Sequence, residues 1–405
     1  MGHIKSFNPL GCADDLDAFR AELRAWLVAT LPADWRTRMA GASEEDYAAF
    51  QRWWFDEMRT VGLATPHWPR DWGGADLSLR HQRIIFEEIA RIDGPNPDLF
   101  VISLYHLPAT LFAAGSQAQR DRYLTGVKEH GEVWCQGFSE PNAGSDLASL
   151  RTRAERRGDI YVVNGQKVWS SNGMFADYCL LLVRTDANAP KKHAGISYFI
   201  LDMKSPGVTV RPIRQATGQA EFCEIFLDDV EIPAENLIGG ENQGWLIAQS
   251  TLSAERGLIV FEHSERMARA LERDLAAVRE GRATWFADDQ FRRDFMRAYA
   301  EMQGLRLLIR RMLEEIEANP EMGGSMTPPL VKIQFSELLR RYTDLRLRIE
   351  GLSAQRLEPV IKGAGHQTGN RMFDFLWSYA WTIAGGANEI IKTVIAERTL
   401  GLPRG

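Results

Sequence analysis

Three short segments of this chain combine residue types that can do chemistry. The first is Gln249-Ser250-Thr251-Leu252-Ser253-Ala254-Glu255-Arg256-Gly257, inside a stretch that reads as one long helix from Gly244 to Arg273. A carboxylate on an otherwise apolar helix face can have its pKa raised by burial and act as a base. Glu255 also suits an internal ion pair or a solvated position. The second is Phe138-Ser139-Glu140-Pro141-Asn142-Ala143-Gly144-Ser145-Asp146. Its hydroxyls and backbone N–H groups, set around a Pro/Gly turn, can cradle phosphate or cofactor oxygens; a capped surface turn is the plainer reading. The third is Lys167-Val168-Trp169-Ser170-Ser171-Asn172-Gly173. There Trp169 can cover one face of a flat cofactor while Ser171 donates a hydrogen bond to it, or Trp169 can simply be core.

Other chemistries find little support. The eight histidines show no metal-ligand spacing and there is no HExxH, so no metal site is expected. A GxSxG elbow, a GxGxxG following a strand and a Walker loop are all missing, which disfavours a serine hydrolase and a dinucleotide fold. A formal net charge of -6 gives no reason to expect a nucleic-acid partner. Arg151, Arg153, Arg156 and Arg157 enclose Glu155 and read as a solvated strand edge or turn. Cys12, Cys135, Cys179 and Cys223 form no CxxC pair and read as reduced thiols of a cytoplasmic protein. No apolar signal core and no stretch of membrane-span length occur, so stable membrane insertion is not expected. Gly2 with Ser6 meets only the short, permissive myristoylation pattern.

The elements that must position these segments change character twice in the 405 residues. Apolar residues recur at helical spacing up to about residue 132, as in Leu16, Phe19, Leu23, Trp26 and Leu27. Short β-branched runs separated by Gly, Asn and Pro then extend to about residue 239, with Asn164-Gly165 as a strong hairpin signal. Helical periodicity returns from residue 240 to 405, in long candidates at Gly244–Arg273, Phe291–Ile316, Pro329–Leu352 and Met372–Leu400. The expected architecture is α+β: an N-terminal helical domain (1–132), a middle antiparallel β-barrel or sandwich domain (133–239) and a C-terminal helical bundle (240–405).

In order and spacing, these motifs resemble the acyl-CoA dehydrogenase family over nearly the full length. Phe138 to Asp146 resembles the family's flavin-binding signature, and Val163-Asn164-Gly165-Gln166-Lys167-Val168-Trp169 the strand and tryptophan beside the flavin. Phe226 to Pro233, followed by Leu237-Ile238-Gly239, is similar to the exit from the middle domain. Ile383-Ala384-Gly385-Gly386-Ala387-Asn388-Glu389-Ile390, then Ala396-Glu397-Arg398, is similar to the C-terminal signature. The resemblance implies FAD as cofactor and α,β-dehydrogenation of an acyl-CoA thioester to a trans-2-enoyl-CoA in lipid or fatty acid catabolism. A glutamate takes the α proton and the β hydrogen leaves as hydride to flavin N5. An electron-transfer flavoprotein is the implied acceptor, and a homodimer or homotetramer the implied assembly.

Matched motif by motif, the resemblance implies flavin contacts for the backbones of Gln136 and Phe138, for Ser139, and for Gly144 and Ser145 near the pyrophosphate. Trp169 and Ser171 belong beside the flavin ring, and Glu389 faces cofactor or solvent. Ser145, Arg256, Gly385 and Gly386 are the implied substrate contacts. The chain departs from the common pattern at Gly385, where many members carry the base. Glu389 is no substitute, lying four residues on, roughly 6 Å along a helix axis. Glu255-Arg256 instead matches the relocated glutamate of isovaleryl-CoA and long-chain acyl-CoA dehydrogenases, so Glu255 is the expected base. Two further elements of the family are missing: Arg-x-x-Phe-Gly, which often touches a neighbour's FAD, around Arg282 to Phe295, and Gln-x-x-Gly-Gly, often found before the C-terminal signature, near His366 to Phe373. These gaps leave as an alternative a non-catalytic or half-site subunit of a heteromer, as in sterol-degrading systems that pair two similar chains; a flavin oxidase on the same scaffold, a type that often alters the catalytic carboxylate, is a third reading. The identity of the acyl group is not legible.

Overall fold

The computed structural model describes residues 8–255, 258–318, 327–356 and 358–403. Gly2, Ser6 and Arg256 therefore lie outside the described residues, as does nearly all of the expected loop Asn319–Pro328. The helices are α1 (Leu16–Thr30), α2 (Trp35–Met39), α3 (Glu44–Thr60), α4 (Leu79–Arg91), α5 (Leu107–Ala114) and α6 (Gln117–His130), then, after the strands, α7 (Gly244–Glu255), α8 (Leu258–Arg279), α9 (Asp289–Ala318), α10 (Thr327–Glu350), α11 (Arg371–Ser378), α12 (Ala380–Ile383) and α13 (Asn388–Val394). The strands are β1 (Trp134–Gly137), β2 (Arg153–Arg157), β3 (Ile160–Ser171), β4 (Tyr178–Arg184), β5 (Ile196–Asp202), β6 (Val208–Ile213) and β7 (Phe222–Pro233). This is the expected α+β order of helices, middle sheet and helical bundle. By packing, the chain divides into two compact units, one of residues 50–75 and 97–255, the other of residues 1–49, 76–96 and 256–405.

The sheet unit is built on strands ordered β1-β4-β2-β3-β7-β6, with β5 on the other side of β4. Alternating apolar residues of these strands, among them Tyr161, Val163, Leu181, Phe199, Leu201 and Ile225, form its core. All four cysteines are unpaired, and Cys135, Cys179 and Cys223 are buried. Of the arginine run, Arg153, Arg156 and Arg157 lie in β2, exposed except at Ala154. Asn164-Gly165 corrects the sequence reading: it lies inside β3, not at a hairpin turn. The β2–β3 reversal falls at Gly158-Asp159, where Gly158 takes φ +64°. Asn164 instead sits at a bulge against β7, its Nδ2 donating to Asp229 Oδ1 at 2.9 Å. Its side chain thus finds a cross-strand partner, which a turn would not supply.

In the same unit, α6 opens with a capping box between Ser116 and Gln119 and closes on Gly131 at φ +61°. The helix expected from Ser103 to Ala114 begins instead with a π turn, Ile102–His106. That winding presents the Leu104 carbonyl to two side-chain donors, His67 Nε2 at 3.1 Å and Trp68 Nε1 at 3.0 Å. Helix α7 packs against α5, this π turn and β5. Thr251 of α7 shares hydrogen bonds with Thr110 (2.6 Å) and Tyr198 (3.3 Å). The sheet and α5 thereby hold the helix that carries Glu255.

In the bundle unit, Glu88 of α4 is buried and answered by Arg20 at 2.9 Å and Arg24 at 2.7 Å from α1. The single helix expected over Gly244–Arg273 is described as α7 and α8, with residues 256 and 257 between them outside the described residues. The helix expected over Met372–Leu400 is interrupted, which corrects the periodicity reading. Gly385 and Gly386 both take left-handed φ, +66° and +95°, and form a turn between α12 and α13.

The start of α11 carries a titration that bears on stability. Burial pushes the Asp374 carboxyl up to about 7, against Thr368, whose N–H and Oγ1 donate to it, and against Arg371 and Arg36. Because the folded state holds this proton more tightly than the unfolded chain, the stability it contributes is present below the unfolded value of 3.8 and is lost as pH rises through about 7. The linkage is on the order of 4 kcal/mol. The buried imidazole of His366, with its pKa well below the usual value, acts in the opposite direction as pH falls, so a comparison with a variant is needed. Thermal melts of the parent and of Asp374→Asn are expected to show the parent losing ground to the variant between pH 5 and pH 8. A pH-independent gap between them would exclude this titration.

Candidate active site

The segment 138–146 leaves the end of β1 and is anchored by one buried pair. Lys167 on β3 is fully buried; its Nζ donates to Glu140 Oε1 at 2.8 Å and to the Phe138 carbonyl at 3.1 Å. Glu140 also accepts from the backbone N–H groups of Arg151 (2.6 Å) and Thr152 (2.8 Å). Burial disfavours the charge on Glu140, but Lys167 and these donors outweigh it and hold the carboxyl below its ordinary pKa. Burial lowers the Lys167 pKa, with Glu140 opposing. Backbone bonds add register. The Ser139 carbonyl accepts from Val168 N–H at 2.9 Å, and the Gln136 carbonyl accepts from Ser170 Oγ at 2.9 Å.

Trp169 is set by a break in the β3–β7 register between Lys167 and Ser170. The bulge leaves Trp169 unpaired, with φ +63°, the residue 57% exposed and its indole edge-on to Phe222 at 6.0 Å. A bulky residue in the left-handed region costs roughly 1–3 kcal/mol and collects at functional sites. The strand end beyond it is fixed by Asn172, whose N–H donates to the Glu221 carbonyl (2.8 Å) and whose Nδ2 donates to the Asp98 carbonyl (3.0 Å).

Gln136, Phe138, Ser139 and Trp169 are thus brought together at one end of β1 and β3, with half-buried Ser171 closing β3. Gly144 and Ser145 are exposed in the turn beyond, and a Cβ at Gly144 would meet nothing within 4 Å. Glu255 is the last residue of α7 in the same unit. Gly385, Gly386 and Glu389 belong to the bundle unit. Lys332 of α10 pins their turn, its Nζ donating to the Gly386 carbonyl and to Asn388 Oδ1, each at 2.8 Å. Glu389 is exposed in the first turn of α13.

Two features were not legible in the residue types. Glu140 and Lys167 are 27 residues apart, and each alone reads as a solvated charge. The expectation at Gln136 concerned its backbone, yet its side-chain Nε2 is buried with no partner among the described residues. An unpartnered buried donor, an open Gly144 turn and an exposed indole together fit a flat cofactor bearing phosphate and ring oxygens. Among the described residues no metal-holding cluster occurs, and no helix is long and apolar enough to cross a membrane.

Comparison with known proteins agrees over the whole chain. Residues 13–129, 135–230 and 242–400 match the acyl-CoA dehydrogenase N-terminal, middle and C-terminal domains. Acyl-CoA dehydrogenase IpdE1 of Mycobacterium tuberculosis is 36% identical over 394 residues, 96% of this chain and 98% of that protein. A solved structure described as the Tcur3481-Tcur3483 steroid ACAD superposes with a TM-score of 0.82 at 30% identity, covering 97% of this chain and 98% of its own. The ChsE4-ChsE5 complex from Mycobacterium tuberculosis gives 0.76 at 26% identity, covering 96% and 98%. Shared domains along nearly the whole length and the shared fold place this chain in the acyl-CoA dehydrogenase family, as an enzyme of that class.

Proposed function

We propose that this chain is one subunit of a heteromeric, FAD-dependent acyl-CoA dehydrogenase whose substrate is a steroid-type acyl-CoA thioester. The observation that carries this reading is a mismatch within the chain. The face that would hold the flavin ring is built and braced, whereas the Arg-x-x-Phe-Gly element for a neighbour's cofactor and the Gln-x-x-Gly-Gly element before the C-terminal signature are missing. A second, similar chain would supply what is missing. The similarity to two-component assemblies, one described as a steroid ACAD, supports both the heteromer and the substrate class.

Gln136, Phe138, Ser139, Gly144, Ser145, Trp169 and Ser171 would hold FAD, which when bound supplies the hydride acceptor. Glu255 takes the α proton of the thioester. Excluding water from this carboxylate brings its basicity nearer to the task. Hydrogen bonds to the thioester carbonyl stabilise the enolate charge that develops as the proton leaves. Gly385 has no side chain to compete for the proton, and Gly385 and Gly386 are proposed as substrate contacts. Arg256 and Ser145 contact the substrate, and an electron-transfer flavoprotein is the proposed acceptor.

The test is expression of the chain alone and together with a second acyl-CoA dehydrogenase chain that carries both missing elements. Flavin content, native mass and anaerobic bleaching by a panel of steroid-type, branched and straight acyl-CoAs are measured. The expected result is a flavin-poor chain alone and a yellow complex bleached by a steroid-type thioester. A homo-oligomer with full flavin content, bleached by a straight-chain acyl-CoA, overturns both the heteromer and the substrate class.

A further inference from the structure

The bundle unit contains a cavity of about 320 Å³ that includes none of the residues assigned above to flavin or thioester. It is lined from α2, the loop after α4, α8, α10, the loop before α11 and α11 itself. Its size is at the lower end for small-molecule sites and is about ten times the volume one water occupies in the liquid.

Four guanidiniums face this cavity, and three of them are answered by carboxylates. Arg273 pairs with Asp93 at 3.0 Å, Arg346 with Asp274 at 2.6 Å, and Arg371 with Glu350 at 2.5 Å. Arg36 has no carboxylate at ion-pair distance among the described residues. Its Nη2 donates to the Gln367 carbonyl at 2.8 Å. Burial pulls its pKa below the ordinary value, the mark of a guanidinium removed from water without full compensation. Tyr342 does not fill the role of partner, because its hydroxyl donates to Asp274 at 2.8 Å.

A second observation is independent of charge. His366 lines the same cavity and is only 3% exposed, yet neither ring nitrogen has a hydrogen-bond partner among the described residues. Asp374 Oδ2, in the same wall, is also buried and has no partner among the described residues. Buried polar atoms are nearly always bonded, so several unsatisfied atoms around one cavity indicate a missing guest. Burial and the neighbouring charges of Arg266 and Arg273 keep His366 neutral. A neutral imidazole offers one N–H donor and one acceptor. The guest that satisfies this set has an oxyanion head for the fork of Arg36 and a hydroxyl that can bond to His366.

We propose that this cavity is a binding site for a small hydroxylated organic anion, with its carboxylate or phosphate head on Arg36 and a hydroxyl on His366. The site is separate from the dehydrogenation reading and does not depend on it. Calorimetry and thermal melts of the full-length protein, purified without phosphate or organic acids, test it with glycerate, glycerol 3-phosphate, acetate and inorganic phosphate as probes. A hydroxylated probe is expected to bind at millimolar concentration or below and to raise the melting temperature by mass action. Acetate and inorganic phosphate should bind more weakly. Arg36→Gln should weaken binding roughly tenfold or more, and Arg36→Lys, which keeps the charge but loses the fork, by an intermediate factor. Preference for glycerate or for glycerol 3-phosphate supports the site and identifies the head. If none of the four probes binds, water alone fills the cavity and the proposal fails. It fails equally if a probe binds both Arg36 variants as tightly as the parent. Should Arg36→Gln not fold, the Arg36→Lys comparison decides alone.

Discussion

Glu255→Gln is expected to leave flavin content and acyl-CoA binding in place while slowing anaerobic flavin bleaching by about 10²–10⁴-fold, the usual contribution of a positioned general base. The substitution is nearly isosteric and removes only the ability to accept a proton. The expected effect is large because the chain has no alternative base at the usual place. Gly385 has no side chain, and Glu389 sits exposed in the first turn of α13. Glu255 is instead carried by α7, which the sheet unit holds through Thr251, Thr110 and Tyr198. Stopped-flow absorbance of the flavin-loaded complex gives the rate, and substrate titration gives binding separately. An unchanged bleaching rate would mean that the proton goes elsewhere, and the assignment of Glu255 would be abandoned. Loss of substrate binding with an unchanged rate at saturation would make Glu255 a binding group only.

The second large effect falls on the brace beneath the cofactor face. Glu140→Gln strands the fully buried Lys167 ammonium without its counter-charge, and Lys167→Met leaves Glu140 without its cation. Breaking a buried pair from one side costs about 3–5 kcal/mol, because the remaining charge stays uncompensated. Glu140→Gln should be the more damaging of the two, since Lys167 is the more deeply buried partner. The double variant should recover much of the loss, and denaturant melts of the four proteins measure the coupling. Flavin content provides a second readout, because the pair ties segment 138–146 to β3. Additive losses in the double variant would show that the two residues act independently.

Much of the fold was legible in the sequence because its signals are local. Helical spacing in α1 and α4, β-branched runs in the middle and the returning helical period each reflect which face of a segment must be buried. The ordered motifs around Ser139, Trp169 and Asn388 were enough for the family, and the absence of a side chain at Gly385 was plain from its identity. Local pattern failed where tertiary partners compete with local preference. Asn164-Gly165 has the composition of a turn, but Asp229 across the sheet captures the Asn164 side chain, so the strand continues through a bulge. Periodicity over Met372–Leu400 suggested one helix, yet Lys332, from a distant helix, holds the Gly385-Gly386 turn open. The Lys167–Glu140 brace, the unpartnered Gln136 amide and the Arg36–His366 cavity had no counterpart in spacing at all. Each depends on how much water is excluded and which charges are left without partners, and those quantities exist only once distant segments have packed.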